Sequence, residues 1–363
     1  MKSIFNGYYK NKTVFLTGHT GFQGAWLSLW LTNLGAKVIG YSLRPSTNPS
    51  LFDSINIKNT ITHTISNINN KKKLSLELSK HKPDIVIHLA AQALVKTSYY
   101  EPIETFTTNI IGTANVLESI RDVPSIKSCL IMTSDKAYEN KEKDHAYNEN
   151  DPMGGYDPYS ASKGAAEIIV SSYRRSFFNQ KNSPGIATIR AGNVIGGGDW
   201  AENRIIPDCI RSLSNNKKII LRNPQAIRPW QYVLESLSGL LLIGSKISKE
   251  PKKFGEAWNI GPDTIKTISV KSLVNKIIKK MGKGVIDIKK ENIHESQLLQ
   301  LDSSKIFNKL KWKPTYSIDE SIDETIEWYL EYDKNKKNIQ KFTILQLEKY
   351  VKKAQKNNSV WTK

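Results

Sequence analysis

Two cysteines in 363 residues, Cys129 and Cys209, are too few and too far apart to form a disulfide framework. Both sit in apolar or helical contexts without metal-ligand spacing, so buried free thiols are expected. The six histidines are scattered, which leaves no metal site to expect. No apolar run approaches the roughly 20 residues of a membrane span, and Met1 to Asn6 lacks a signal-peptide core. A globular, cytoplasmic protein with no membrane partner is the reading these absences leave. Acidic residues are also scarce, 34 against 53 basic ones, for a net charge of +19. Such a surplus raises nucleic-acid binding as a function. It is spread through surface runs such as Lys71 to Lys73, Lys289-Lys290 and Lys334 to Lys337, with no nucleic-acid motif beside them. No nucleic-acid partner is therefore expected, and an anionic small substrate fits the same charge.

With 39% hydrophobic residues, the chain can bury the core of one large domain or of two that share an interface. Alternating strands and helices predict an α/β fold, a Rossmann-type doubly wound parallel sheet with a smaller C-terminal substrate-binding portion. The expected division is a dinucleotide-binding domain over 1–190, a substrate portion over 191–335 with some segments returning to the first, and a lysine-rich tail over 336–363. Lys12 to Thr17 reads as a buried strand, followed by Gly18-His19-Thr20-Gly21-Phe22-Gln23-Gly24 and an apolar helix from Ala25 to Leu34. Glycines at i, i+3 and i+6 between strand and helix let backbone approach a pyrophosphate, and the helix N-terminus offers free N–H groups to it. The second strand, Lys37 to Ser42, lacks the acidic residue that commonly marks the NAD ribose. Arg44 follows instead and suits a 2′-phosphate, which leaves NAD and NADP both open on local chemistry. Asn67 and Ile68 are candidates for the adenine edge. The strand from Pro83 runs into Leu89-Ala90-Ala91-Gln92, where small residues let a cofactor lie against the backbone. Asn109 lies on a following helix, Thr105 to Arg121, that passes behind the active strand.

The apolar run Cys129 to Met132 breaks into Thr133-Ser134-Asp135-Lys136, so a buried strand ends where polar chemistry begins. Thr133 is counted with the cofactor contacts. Tyr159 and Lys163 stand four apart on a helical stretch and share a face. A phenol with a pKa of about 10 is no base at neutral pH, but a neighbouring ammonium lowers that value, the part expected of Lys163. A Ser134 hydroxyl at the strand end completes a group able to take a proton from an alcohol. Taken alone, Tyr-x-x-x-Lys reads more readily as a surface tyrosine and lysine; a hydride acceptor beside it gives it meaning. Further on, Asn193 lies in a glycine-rich loop suited to a sugar nucleotide. Arg204, Arg222, Arg228 and Glu295 are the polar points beyond it, and guanidiniums beside rigid prolines suit a diphosphate. The helices 105–121 and 159–178 carry apolar faces long enough to pair with copies of themselves as a homodimer or homotetramer, although core packing explains the pattern equally well.

Strand-GxxGxxG-helix at Gly18, Gly21 and Gly24, the strand end at Ser134 and Tyr159-x-x-x-Lys163 together resemble the extended short-chain dehydrogenase/reductase family. Within it, four stretches resemble the nucleotide-sugar dehydratases that act on CDP-hexoses: Thr17 to Gly24, Thr133 to Tyr138, Arg190 to Trp200 and Arg228 to Glu235. The likeness covers about Phe5 to Leu330. It implies NAD as the cofactor and oxidation of C4 of a CDP-hexose by Tyr159, Lys163 and Ser134. It also implies loss of water across C5 and C6, with Asp135 as acid and Lys136 as base, and hydride return to C6. Relatives acting on dTDP-glucose have glutamate at the second of these positions; the CDP subgroup shares the lysine. A 4-epimerase or reductase on the same fold would keep Tyr159 and Lys163 but has no use for Asp135 and Lys136. A non-catalytic nucleic-acid-binding protein on this fold would show salt-dependent binding and no turnover.

Overall fold

A computed structural model of the chain describes residues 1–262, 267–289 and 296–363. Its centre is a seven-stranded sheet built from β1 (Thr13–Thr17), β2 (Lys37–Ser42), β3 (Thr62–Ile65), β4 (Ile85–His88), β5 (Ser128–Met132), β6 (Gly185–Ala191) and, after a short outlying strand β7 (Ile219–Leu221), β8 (Ala257–Ile260). The spatial order is β8-β6-β5-β4-β1-β2-β3, and every neighbouring pair is parallel. Parallel strands covered on both faces read as unbroken apolar runs. Val14-Phe15-Leu16 and Ile85-Val86-Ile87 are such runs, and none of these six side chains reaches solvent. The chain winds outward in two directions from β1 and β4, which places a crevice above the carboxyl ends of those central strands.

On one face of the sheet lie α2 (Lys71–His81), α3 (Gly112–Arg121) and α4 (Pro158–Ser176). A π-helical turn, Thr107–Ile111, leads into α3. The other face carries α1 (Phe22–Asn33) and α6 (Val233–Ile247). Helix α1 is buried all round from Gly24 to Leu31 rather than along a stripe. A helix of that kind must be covered by protein on every side, and the C-terminus supplies the last cover.

The stretch expected as a lysine-rich tail is instead part of the core. After α7 (Ile318–Lys334) it forms α8 (Ile339–Lys356), whose Tyr350 packs edge-on against Trp30 of α1. Trp361 stacks on both Tyr350 and Phe5, with ring centroids 5.7 and 5.4 Å apart. Glu235, buried at the start of α6, accepts hydrogen bonds from the Thr315 and Tyr316 amides at 2.9 and 2.7 Å and from the Tyr350 hydroxyl at 2.7 Å. The lysines that gave the segment its tail-like composition occupy the outer face of an amphipathic helix. Both cysteines are buried and free, and none of the described helices is long and apolar enough to cross a membrane.

Candidate active site

The turn after β1 is shaped by its glycines. Gly18 adopts φ +76°, and a Cβ there would sit 2.6 Å from the Ala90 amide nitrogen. A Cβ on Gly24 would lie 2.0 Å from the Gly18 carbonyl oxygen, so α1 can approach β1 only without one. Gly21, between them, is exposed. It precedes α1 with no side chain capping the helix, which leaves the first N–H groups of that helix open to an anion. A tight turn, an open approach and a close helix contact are the three demands of a pyrophosphate cradle, and the residues present fit a dinucleotide.

The other residues expected at this cofactor divide by direction. Gln23, Leu89, Ala91, Thr133, Tyr159 and Lys163 line the central cavity, and Phe22 packs at its edge of the core. His19 turns inward, edge-on to Phe52 and His63 at 5.4 and 5.3 Å, and burial pulls its pKa down to about 3. It is a neutral core ring. Thr20 shares a hydrogen bond with Ser42 and donates to the Leu43 carbonyl, each at 2.9 Å. Asn67 uses its Oδ1 to accept from the Asn69 amide at 2.8 Å, and Ile68 is buried against Gly112. Arg44 is exposed beyond β2. Gln92 and Asn109 clasp each other: the Gln92 amide donates to Asn109 Oδ1 at 2.9 Å, and Asn109 Nδ2 donates to the Gln92 carbonyl at 3.0 Å and to the Ser162 hydroxyl at 2.8 Å. Asn109 thus ties the end of β4 to α4.

The catalytic candidates converge from two elements. Ser134 ends β5 and caps the short turn Asp135–Ala137: its hydroxyl accepts from the Lys136 amide at 3.2 Å and donates to Asp135 Oδ1 at 3.0 Å. Asp157 caps α4 by accepting from the Ser160 amide at 2.9 Å, which sets Tyr159 in the first turn and Lys163 one turn on. The Tyr159 amide donates to the Ser98 hydroxyl at 3.1 Å. Lys163 Nζ lies 5.9 Å from the Tyr159 ring centroid and donates to the Met132 carbonyl at 3.4 Å. Ser134, Asp135, Lys136, Tyr159 and Lys163 all line one cavity of about 560 Å³, a size suited to a nucleotide sugar.

Electrostatics correct one expectation. Burial pushes the Tyr159 phenol up to about 12, drawn back first by the Ser134 hydroxyl and then by the Arg204 charge. Lys163 is itself buried, which brings its pKa down to about 8 against the pull of Glu167. Desolvation outweighs the ammonium in the protein alone. Burial also raises the Asp135 carboxyl, against Lys136, the Ser134 hydroxyl and Arg228; its Oδ2 is buried with no hydrogen-bond partner among the described residues. A carboxyl so placed favours its protonated, acid form.

Toward the C-terminal portion, Asn193, Arg204, Arg222 and Arg228 line the same cavity. Arg204 pairs with Asp199 at 3.1 Å and Arg222 donates to Asn203 Oδ1 at 3.1 Å. Arg228 is buried and donates to the Ile227 carbonyl at 2.9 Å. Glu295 lies outside the described residues. With Lys96, Lys136, Lys163 and Arg211 added, seven cations among the described residues face Asp135, Asp199 and Asp208, an excess that suits a diphosphate.

Sequence reading missed Ser98, Asp199, Asp208, Arg211 and Glu167. Glu167 is fully enclosed, accepting from Thr133 and Thr188 hydroxyls at 2.5 and 2.8 Å and from Arg190 at 2.9 Å. Burial raises its carboxyl, but Arg190 and the two threonines hold it below the ordinary range. Its place four residues beyond Lys163 was the available signal.

Residues 15–325 match the family model described as GDP-mannose 4,6 dehydratase. The chain is 45% identical over 332 residues to a CDP-glucose 4,6-dehydratase of Salmonella typhimurium, covering 90% of this chain and 92% of that protein. Its fold matches a crystal structure of dTDP-glucose 4,6-dehydratase from Bacillus anthracis in complex with NAD (TM-score 0.74, 24% identity, 89% of this chain and 98% of that one). It also matches UDP-glucose 4-epimerase of Thermotoga maritima with UDP-glucose (TM-score 0.76, 22% identity, 88% and 99%).

Proposed function

The chain belongs to the GDP-mannose 4,6-dehydratase family, and from that membership we propose that it is an NAD-dependent CDP-D-glucose 4,6-dehydratase. It converts CDP-D-glucose to CDP-4-dehydro-6-deoxy-D-glucose and water, a step toward deoxysugars. The choice of CDP-glucose as substrate rests on the 45% identity to the Salmonella enzyme. The observation that carries the reaction type is the Asp135 and Lys136 pair on the cavity wall shared with Tyr159 and Ser134. A 4-epimerase needs no such pair.

The Gly18 to Gly24 turn, Leu89, Ala91, Thr133 and Lys163 hold the dinucleotide. When bound, oxidised NAD supplies the hydride acceptor for C4, the later hydride donor to C6 and a positive charge beside the phenol. Tyr159 accepts the C4 hydroxyl proton, a task for which its pKa must fall from about 12. Ser134 donates a hydrogen bond to the same oxygen and orients it. The 4-ketone acidifies C5, from which Lys136 takes a proton while Asp135 protonates the departing C6 hydroxyl. Burial of Asp135 raises its carboxyl, the direction an acid requires. Arg204, Arg222 and Arg228 oppose the diphosphate, and Asn193 faces the sugar nucleotide.

The protein acts in the cytoplasm as a homodimer or homotetramer. Ile103, Ile111 and Ile168, 75%, 52% and 60% exposed on the segment leading into α3 and on α4, support pairing through these helices. Light scattering of the purified protein tests this, and a monomer at micromolar concentration refutes it. The function is tested by incubating the protein with CDP-, dTDP-, GDP- and UDP-hexoses and following the alkaline absorbance of a 4-keto-6-deoxy product. Turnover of CDP-glucose is expected; a C4 epimer, or no product from any of the four, overturns the reading.

A further inference from the structure

Helix α5 (Ile205–Ser214) borders the cavity with its first turn: every residue from Arg204 to Asp208 lines it, and Arg211 and Ser212 follow one turn on. The Arg204 charge acts on Tyr159, so this helix begins at the chemical end of the cavity. At a rise of 1.5 Å per residue, Asp208 and Arg211 lie about 6 and 10 Å further along. A nucleotide sugar whose C4 hydroxyl meets Tyr159 extends through its hexose and diphosphate before its base, and a base that turns toward helix α5 meets Asp208 and Arg211.

Among the described residues, three carboxylates line the cavity. Asp135 belongs to the chemistry, and Asp199 is buried against Arg204. Asp208 is the third, with 38% of its side chain exposed. A carboxylate near a diphosphate costs binding unless the ligand brings it a donor. Arg211 bonds Asp208 and is itself fixed by donating to the Trp200 and Ala201 carbonyls at 2.9 and 3.2 Å. An acceptor thus stands beside a fork of donors, both held in place. Cytosine offers an amino donor at C4 beside ring acceptors, whereas uracil and thymine carry a carbonyl at C4, and aspartate is a natural acceptor for the cytosine amine.

We propose that Asp208, oriented by Arg211, accepts a hydrogen bond from the exocyclic amine of cytosine and makes this cavity select CDP-sugars over UDP- and dTDP-sugars. This rests on the nucleotide-sugar reading of the same cavity and assigns the residue that reads the base. With a uracil nucleotide, the C4 carbonyl, itself an acceptor, faces the carboxylate oxygen that the cytosine amine would have satisfied, a mismatch that costs more than a missing contact.

The test is calorimetric titration of CDP and UDP into wild-type protein and Asp208→Asn, with kcat/KM for CDP-glucose and UDP-glucose. Wild type should bind CDP at least about tenfold more tightly than UDP. Asp208→Asn, whose amide both donates and accepts, should bring that ratio within about threefold. An unchanged ratio in the variant overturns the proposal. So does a wild type without preference, a result that needs no variant to fold. Collapse of the CDP preference in a protein that dehydrates no hexose would sink the dehydratase reading and leave the base-reading role standing. Turnover of CDP-glucose with an unchanged ratio would do the reverse.

Discussion

Replacing Lys163 with methionine should make the cofactor-free protein more stable and much less active. The ammonium is buried, and its pKa falls from an ordinary 10.5 to about 8. At about 1.4 kcal/mol per unit, the charged form is destabilised by on the order of 3 kcal/mol. The sign follows from proton counting. Between pH 8 and 10.5 the unfolded chain holds a proton that the folded one has released, so stability rises with pH through that window. Below pH 8 the full cost is present, and an uncharged methionine of similar length escapes it. The long 3.4 Å bond to the Met132 carbonyl returns about 1 kcal/mol at most. A net gain of about 2 kcal/mol in a chain of 363 residues moves Tm by only about 3 °C, because the unfolding entropy scales with length. Scanning calorimetry at pH 7 without NAD reads this directly, and kcat should fall at least about 100-fold. A Lys163→Met protein with lower Tm than wild type would refute the claim that desolvation dominates at this site.

Other perturbations address the remaining parts. Lys136→Ala should still reduce its nicotinamide on mixing with CDP-glucose, seen in near-ultraviolet absorbance, while releasing no 4-keto-6-deoxy product; full dehydration would remove Lys136 as the base. Gly24→Ala places a Cβ 2.0 Å from the Gly18 oxygen and should cost at least about 2 kcal/mol with loss of NAD binding; wild-type urea stability would deny that α1 is pinned there. Truncation after Asn335 removes Tyr350 and Trp361 from the α1 face and should yield insoluble or molten protein by near-ultraviolet circular dichroism. A truncated chain with native spectra would restore the segment to the status of a tail.

The first glycine turn and the strand end at Ser134 were legible because local chemistry dictates them. Only glycine tolerates the approach of Ala90 to Gly18, and a short apolar run that breaks into Thr-Ser-Asp is what a buried strand with a polar end writes. What escaped were consequences of three-dimensional enclosure. Lys163 is expected from its spacing to lower the Tyr159 phenol, but spacing along a helix says nothing of how dry the site is, and burial is the leading influence on both groups in the protein alone. His19 sits in the middle of the phosphate-binding motif, yet its ring fills a gap between Phe52 and His63. Composition also misled at the C-terminus, where lysines on one face of α8 hid the Leu347, Tyr350, Val351 and Ala354 stripe on the other. The pairing of Arg204 with Asp199 crosses a loop whose shape no periodicity encodes.

One hydrogen moving within one sugar distinguishes dehydration from epimerisation. CDP-D-glucose carrying deuterium at C4 should, after incubation with the purified protein and NAD, give a 4-keto-6-deoxy product with that deuterium in the C6 methyl group by nuclear magnetic resonance. Deuterium retained at C4 of an epimer, or washed out with no methyl label, would contradict it.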